Sequence, residues 1–344
     1  MANLTQIIVS APGKLMLLGE HAVVYNRPSL VTAVDQRLTL KAETLENSVF
    51  ELNAKDAGVT NYSKPLSELG KGDIPKGAKF VERAMYNFFA RHPQSNRGSI
   101  NNIDSRLRGN DIIGIRITTK SDFSPLFGFG SSSASTVCTL KALSELFNAK
   151  LSCRQIFELS FQTVLDVQGT GSGFDVAAAT YGGTLYYSKA GSKTIKPLNL
   201  KHLPLIIGYS GIKADTVTLV KQVAEKAKKY PNVIENIYSQ IGYLVDLAKK
   251  ALLKEDYQTL GELMDLNQGL LVSLGVEGKK LADMIYAARE AGAYGAKLSG
   301  AGIGDCMIAI APANKVSGVK KAITKAGGKV VNVKVNAPGV RIEK

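Results

Sequence analysis

Long hydrophobic runs are missing from this 344-residue chain. No stretch of 18 or more apolar residues occurs, so no membrane-crossing helix is expected. The first ten residues lack a basic start followed by an apolar stretch, which argues against a secretory leader. Cysteine is scarce. Cys138, Cys153 and Cys306 have no metal-type spacing, and an odd number speaks against a disulfide framework. A reducing, cytoplasmic setting is the natural reading. Internal repeats and low-complexity tracts are absent too. Acidic residues are outnumbered, 29 against 43 Lys and Arg, for a net charge of +14. A nucleic-acid binder would cluster those cations among stacking aromatics. Here they are spread out, with small groups at 226–229, 249–250 and 320–321 that read as solvated helix faces. A positive field serving anionic small ligands fits better, and no nucleic-acid or membrane partner is expected.

What is present is an ordinary globular composition, 45% hydrophobic and 21% charged, at a length that suits two lobes better than one core. Residues 6–10 read as a strand stopped by Ala11-Pro12-Gly13. Residues 15–25 and 38–43 are also β-prone. Phe80, Ala84, Phe88 and Phe89 lie at helical spacing within 78–91. Residues 93–111 read as a polar surface loop, and 113–118 as a strand. A serine-capped helix follows residues 128–134, with Val137, Leu140, Leu143 and Phe147 as its apolar stripe. A second helix covers about 153–166. Strands are expected at 184–187, 204–209, 306–310 and 330–335. Helices are expected at about 214–229, 232–252, 256–271 and 278–291. The lobe boundary is placed near residue 190, in Ala190-Gly191-Ser192, giving lobes of 1–190 and 191–344.

Three glycine-rich elements could carry chemistry. Gly128-Phe129-Gly130-Ser131-Ser132-Ser133 sits where a helix would present free N–H groups and the positive end of its dipole, an anion cradle suited to phosphates. A serine-capped helix after a turn is the plainer alternative. The chain has no G-x-x-x-x-G-K-[ST] loop. The third glycine of a dinucleotide fingerprint is also missing, so an NAD(P)-binding oxidoreductase is only a remote alternative. Gly171-Ser172-Gly173-Phe174-Asp175 offers either a helix-capping aspartate or a carboxylate that helps deprotonate a hydroxyl. The third element, residues 299–304, is a tight turn or a second phosphate nest. Lys14, after Pro12-Gly13, could snorkel from a strand end. Placed near Asp175, it would favour that carboxylate's charged form and stabilise an incipient alkoxide.

Pro12-Gly13-Lys14-Leu15 with Leu18-Gly19-Glu20-His21, then residues 128–134, then Leu298-Ser299-Gly300-Ala301-Gly302, resemble in order and spacing the three motifs of GHMP kinases. The resemblance spans nearly the whole chain. It implies an α/β (α+β) two-lobe fold, with an N-terminal lobe like ribosomal protein S5 domain 2 and a ferredoxin-like C-terminal lobe. It also implies transfer of the ATP γ-phosphoryl group with Mg²⁺ as cofactor. Asp175 and Lys14 would be the catalytic pair. Gly128, Phe129, Gly130, Ser131, Ser132 and Ser133 would wrap the phosphates. Ser132, or Ser131, would contact Mg²⁺, with Asp166 where many family members carry a metal-serving Glu. Glu20, His21, Thr216, Gly300, Ala301 and Gly302 would lie at the acceptor side. Residues 11–28 and 264–302 are similar to the branch of the family that phosphorylates mevalonate. Gly171–Asp175 and Gly304-Asp305-Cys306 look more like the branch acting on phosphomevalonate. Ile303 stands where another glycine is usual. Mevalonate is the expected acceptor and phosphomevalonate the alternative; a homodimer is left open.

Overall fold

The computed structural model describes residues 5–91, 114–123, 127–189 and 194–343. The expected surface loop at 93–111 and the boundary at Ala190-Gly191-Ser192 lie outside these residues. Two sheets organise the chain. The first runs β12-β1-β2-β5-β3-β4, from β1 (Gln6–Leu18), β2 (Ser29–Leu45), β3 (Val49–Ala54), β4 (Val59–Pro65), β5 (Gly114–Ser121) and β12 (Arg341–Ile342). β6 (Thr184–Ser188) pairs with β2, and β7 (Thr194–Pro197) with β6. At 17 residues, β2 is long enough to serve three neighbours, pairing β1 along its length, β5 over 38–45 and β6 over 29–32.

Every pairing of this sheet is antiparallel except β3 with β5. That is incompatible with the parallel sheet a dinucleotide-binding oxidoreductase would require. The expected break at Ala11-Pro12-Gly13 is not found. β1 runs straight through it, and a register shift between Pro12 and Gly13 absorbs the irregularity. Bulges are among the few places where a strand tolerates proline.

Four helices back this sheet. α2 (Ser131–Leu146) packs directly on β1 and β2, α1 (Lys79–Arg91) and α3 (Cys153–Gln168) pack on α2, and α4 (Phe174–Tyr181) packs on β1. The buried face of α1 is Val81, Ala84, Met85 and Phe88, the 3.6-residue period read from the sequence. Ser152 and Gln155 close a capping box at the start of α3. The cap of α2 differs from expectation. It is Gly130, in the left-handed region and without a side-chain bond, so the serines lie inside the first turn.

The second sheet is β11-β8-β10-β9, from β8 (Leu205–Tyr209), β9 (Gly295–Ser299), β10 (Cys306–Ile310) and β11 (Lys329–Val330), all antiparallel. Between β8 and β9 run α5 (Thr216–Lys229), α6 (Pro231–Leu253), α7 (Tyr257–Leu274) and α8 (Lys279–Glu290); α9 (Val316–Lys325) joins β10 to β11. This strand order and connectivity is the ferredoxin-like arrangement the family resemblance implies. The strand expected over 330–335 ends at Val330. Beyond it the chain crosses to the first sheet, where Val335 bridges Val34 and β12 pairs with β1.

Candidate functional site

β1 brings the first element to the centre of the molecule. Lys14 Nζ lies 3.0 Å from Asp175 Oδ1, with side chains 11% and 31% exposed, so the pair is largely buried yet open on the carboxylate side. Asp175 is the second residue of α4, whose cap is Gly173; the aspartate is therefore free of the capping role that was its alternative reading. Lys14 also lies over the Phe174 ring, 5.2 Å from its centroid.

The glycine-serine loop closes over this pair. Lys14 N donates to Phe129 O at 2.9 Å, fixing the loop to β1. Gly128 and Gly130 have φ of 72° and 81°, a region costly for residues with a Cβ. A Cβ at Gly130 would stand 3.3 Å from Lys14 Cε and 3.7 Å from Asp175 Oδ1, so the bare glycine keeps the pair open. The Phe129 ring is buried against Phe123 and Phe127, which leaves only its backbone to face a ligand. Ser131, Ser132 and Ser133 form the first turn of α2, whose N–H groups have no intrahelical acceptor. Donors, dipole and a nearby lysine together suit a polyphosphate.

The third element follows β9. His21 Nε2 donates to Ala301 O at 2.8 Å, tying the end of the first motif to the third. Burial holds His21 below its usual value of 6.5, partly opposed by the Ala301 carbonyl. Gly300 and Gly302 take φ of 112° and 100°, and Ile303 and Asp305 take 60° and 58°. The Ile303 position thus demands the conformation that the family's usual glycine accepts freely. Asp305 accepts from Ala214 N at 3.1 Å and from Lys213 Nζ at 3.0 Å, and a Cβ on Gly128 would meet its Oδ2 at 2.3 Å. Neighbouring Cys306 has its thiol pushed up to about 12, chiefly by burial and then by Asp305, with Lys14 and Lys213 opposing.

Two family models match, GHMP kinases N terminal domain over residues 96–183 and GHMP kinases C terminal over 248–329. A mevalonate kinase of Thermococcus sibiricus is 36% identical over 348 residues, covering 98% of both chains. The chain belongs to the GHMP kinase family. Among solved structures, protein Lin0012 of Listeria innocua superposes with a TM-score of 0.83 at 22% identity, covering 98% of this chain and 99% of that one. The Methanococcus jannaschii mevalonate kinase gives 0.75 at 25% identity, covering 97% and 99%.

Not every residue anticipated for this kinase meets at the cleft. Glu20, expected at the acceptor side, is paired with Lys297 in a fully buried ion pair, both side chains 0% exposed. Lys297 also donates to Leu298 O at 2.5 Å, and its burial lowers its pKa against the raising effect of Glu20. A lysine inside the otherwise apolar run of β9 was the available signal that a buried carboxylate must exist; sequence reading passed over it. Thr216 is exposed as the first residue of α5, after the Lys213–Asp215 segment.

Asp166, the anticipated metal support, is otherwise engaged. Its Oδ2 accepts from Asn87 Nδ2 at 2.8 Å and its Oδ1 from Gln162 Nε2 at 2.7 Å. Those bonds hold the carboxylate toward α1, and it fits a metal ligand poorly. Among the described residues no group of three or more His, Cys, Asp or Glu is arranged to hold a metal. Ser132 fits better. It lies in the first helical turn of the cradle, and Mg²⁺ in phosphoryl-transfer sites commonly takes most of its ligands from phosphates and water. No helix among the described residues is long and apolar enough to cross a membrane.

Proposed function

We propose that this kinase transfers the γ-phosphoryl group of ATP to the primary hydroxyl of mevalonate. ATP follows from the family. The observation that carries the chemistry is the Lys14–Asp175 pair at 3.0 Å beneath the Gly128–Ser133 cradle. The acceptor is supported by full-length likeness to mevalonate kinases.

The geometry supports the following roles. Asp175 would accept the acceptor's hydroxyl proton. Lys14 would stabilise negative charge on the attacking oxygen and the transferred group. The backbone of Gly128, Phe129 and Gly130 and the first-turn N–H groups of Ser131, Ser132 and Ser133 orient the phosphates, and most of the rate comes from such positioning and charge neutralisation. Bound Mg²⁺ would neutralise charge on the phosphate oxygens, with the Ser132 hydroxyl as its protein contact. His21, through Ala301, and the Gly300–Gly302 turn would shape the acceptor side with Thr216. Glu20 serves indirectly, holding the turn after β1 against β9 through Lys297.

A coupled ATP–Mg²⁺ assay over mevalonate, phosphomevalonate, galactose and homoserine tests this reading. Mevalonate is expected to give the highest kcat/KM. Turnover of another acceptor above mevalonate would reassign the substrate, and no ADP release with any of them would remove the kinase reading of the site.

A further inference from the structure

The turn that presents Asp175 to Lys14 is built from Gly171, Ser172 and Gly173, directly before α4. Gly173 sits at φ 90°. Glycine takes either sign of φ with similar ease, so the Ser172–Gly173 peptide could flip at little cost if nothing held it. A flip would swing the start of α4, and Asp175 is the second residue of that helix. At eight residues α4 is too short to set its own geometry, so its first turn depends on outside contacts.

β6 supplies one such contact. The Tyr187 hydroxyl donates to Ser172 O at 2.5 Å. Tyr187 is fully buried, its ring set beside Phe157 of α3 with centroids 6.5 Å apart. Its backbone is paired on both sides, opposite Ser29 of β2 and Ile195 of β7, so the hydroxyl is carried on a rigid strand. A Cβ on Gly173 would stand 2.6 Å from the Tyr187 oxygen and 2.9 Å from the Phe161 ring, which shows how closely the two side chains wall the turn. Lys189 Nζ adds a longer bond, 3.4 Å, to Gly171 O. Burial pushes the Tyr187 phenol up, and the nearby Asp175 carboxylate pushes it further, so the hydroxyl keeps its proton and remains a donor at neutral pH.

We propose that Tyr187 is a positioning residue for the reaction. By pinning the Ser172 carbonyl it fixes the start of α4 and keeps Asp175 facing Lys14 beneath the phosphate cradle. This rests on the reading of Asp175 as the proton acceptor, and it holds whichever acceptor the enzyme prefers. Tyr187 touches no substrate; its effect passes through the backbone of residues 172–174. Misplacing a reacting group by 1 Å can cost on the order of 10²-fold in rate, so even a partial release of this turn should register in kcat.

The test measures kcat with the best acceptor of the panel above, KM for ATP and melting temperature. It compares the unmodified enzyme, Tyr187→Phe, Asp175→Asn and Tyr187→Phe/Asp175→Asn. Phenylalanine keeps the ring and its packing and removes only the hydroxyl. Well below its melting temperature, Tyr187→Phe is expected to lower kcat about ten-fold, with KM for ATP nearly unchanged. Added to Asp175→Asn, the same change is expected to cost nothing more, because a residue that acts only through Asp175 then has nothing left to place. A merely structural role would lower the melting temperature and leave kcat of the folded enzyme at its original value, which overturns the proposal. A loss that recurs in full on top of Asp175→Asn overturns it too. Near-normal turnover by Asp175→Asn alone would defeat the reading of Asp175, and the positioning role with it. Normal turnover by Tyr187→Phe beside a collapsed Asp175→Asn would defeat the positioning role only.

Discussion

At the scale of single residues, the site is defined by which charges are shared and which stand free. Asp175 shares its charge with Lys14 but keeps an open face, as the proton acceptor proposed above would need. Asp175→Asn is expected to cut kcat by roughly 10²–10⁴-fold with little change in ATP binding or melting temperature. Near-normal turnover by a folded variant would deprive Asp175 of its role. Lys297 and Glu20 have no such openness. Lys297→Met would strand a buried carboxylate and is expected to cost about 3–5 kcal/mol in urea unfolding, whereas Glu20→Leu/Lys297→Met should cost far less. Equal losses for the single and double variants would show that packing, and not charge, governs the site. His21 makes a prediction about pH. Its folded pKa lies below 6.5, so on acidification through that value the unfolded chain takes up a proton before the folded one does. Its share of stability is complete above 6.5 and is lost progressively below it. His21→Asn should therefore flatten the stability-versus-pH curve as the pH falls below 6.5, relative to the unmodified protein. Identical slopes would refute the burial argument.

At the scale of elements, the turn between β9 and β10 concentrates strain. Ile303 is β-branched, 40% exposed and held at φ 60°. Ile303→Gly gives up little burial and relieves about 1–2 kcal/mol of left-handed strain, so melting temperature should rise. A fall would mean that the isoleucine makes a contact worth more than the strain. The same turn shows what could be read in advance. Regular helices with wide apolar stripes, such as 232–252 and 278–291, were legible because periodicity is local. The three site motifs were legible because glycine, lysine and aspartate keep their order along the chain. β3, β4, β7, β9 and α9 were not read. Short strands carry weak periodicity and take their form from neighbours distant in sequence, whereas α9 was passed over although Val319 and Ile323 lie on one buried face. Proline misled in β1, because the bulge that accommodates it depends on pairing with β2. The metal role of Asp166 was inferred from position relative to a motif, and position does not reveal that Asn87, on another helix, claims the carboxylate.

At the scale of the whole molecule, the first sheet is completed by residues from far along the chain. Arg37 donates to Pro338 O and Gly339 O, both at 2.8 Å, and β12 pairs Ile342 with Val9 and Arg341 with Ser10. Deleting residues 335–344 should deprive Arg37 of its Pro338 and Gly339 carbonyl partners, leaving only that of Ser10, and expose the edge of β1. The truncated protein is expected to lose several kcal/mol. Limited proteolysis should then cut first within the N-terminal sheet. Retention of full stability would show that the returning segment is ornamental to the fold. The return has a further consequence, for synthesis on the ribosome. Ser10 and its partner Glu343 are 333 positions apart. At typical elongation rates of about 5–20 residues per second, β1 emerges many seconds before the segment that covers it. Throughout that interval the outer edge of the first strand, and Lys14 within it, stand in a half-built sheet. Chaperone demand during translation should therefore centre on the first lobe made, and a circular permutant that places 335–343 directly ahead of β1 should fold with less of it.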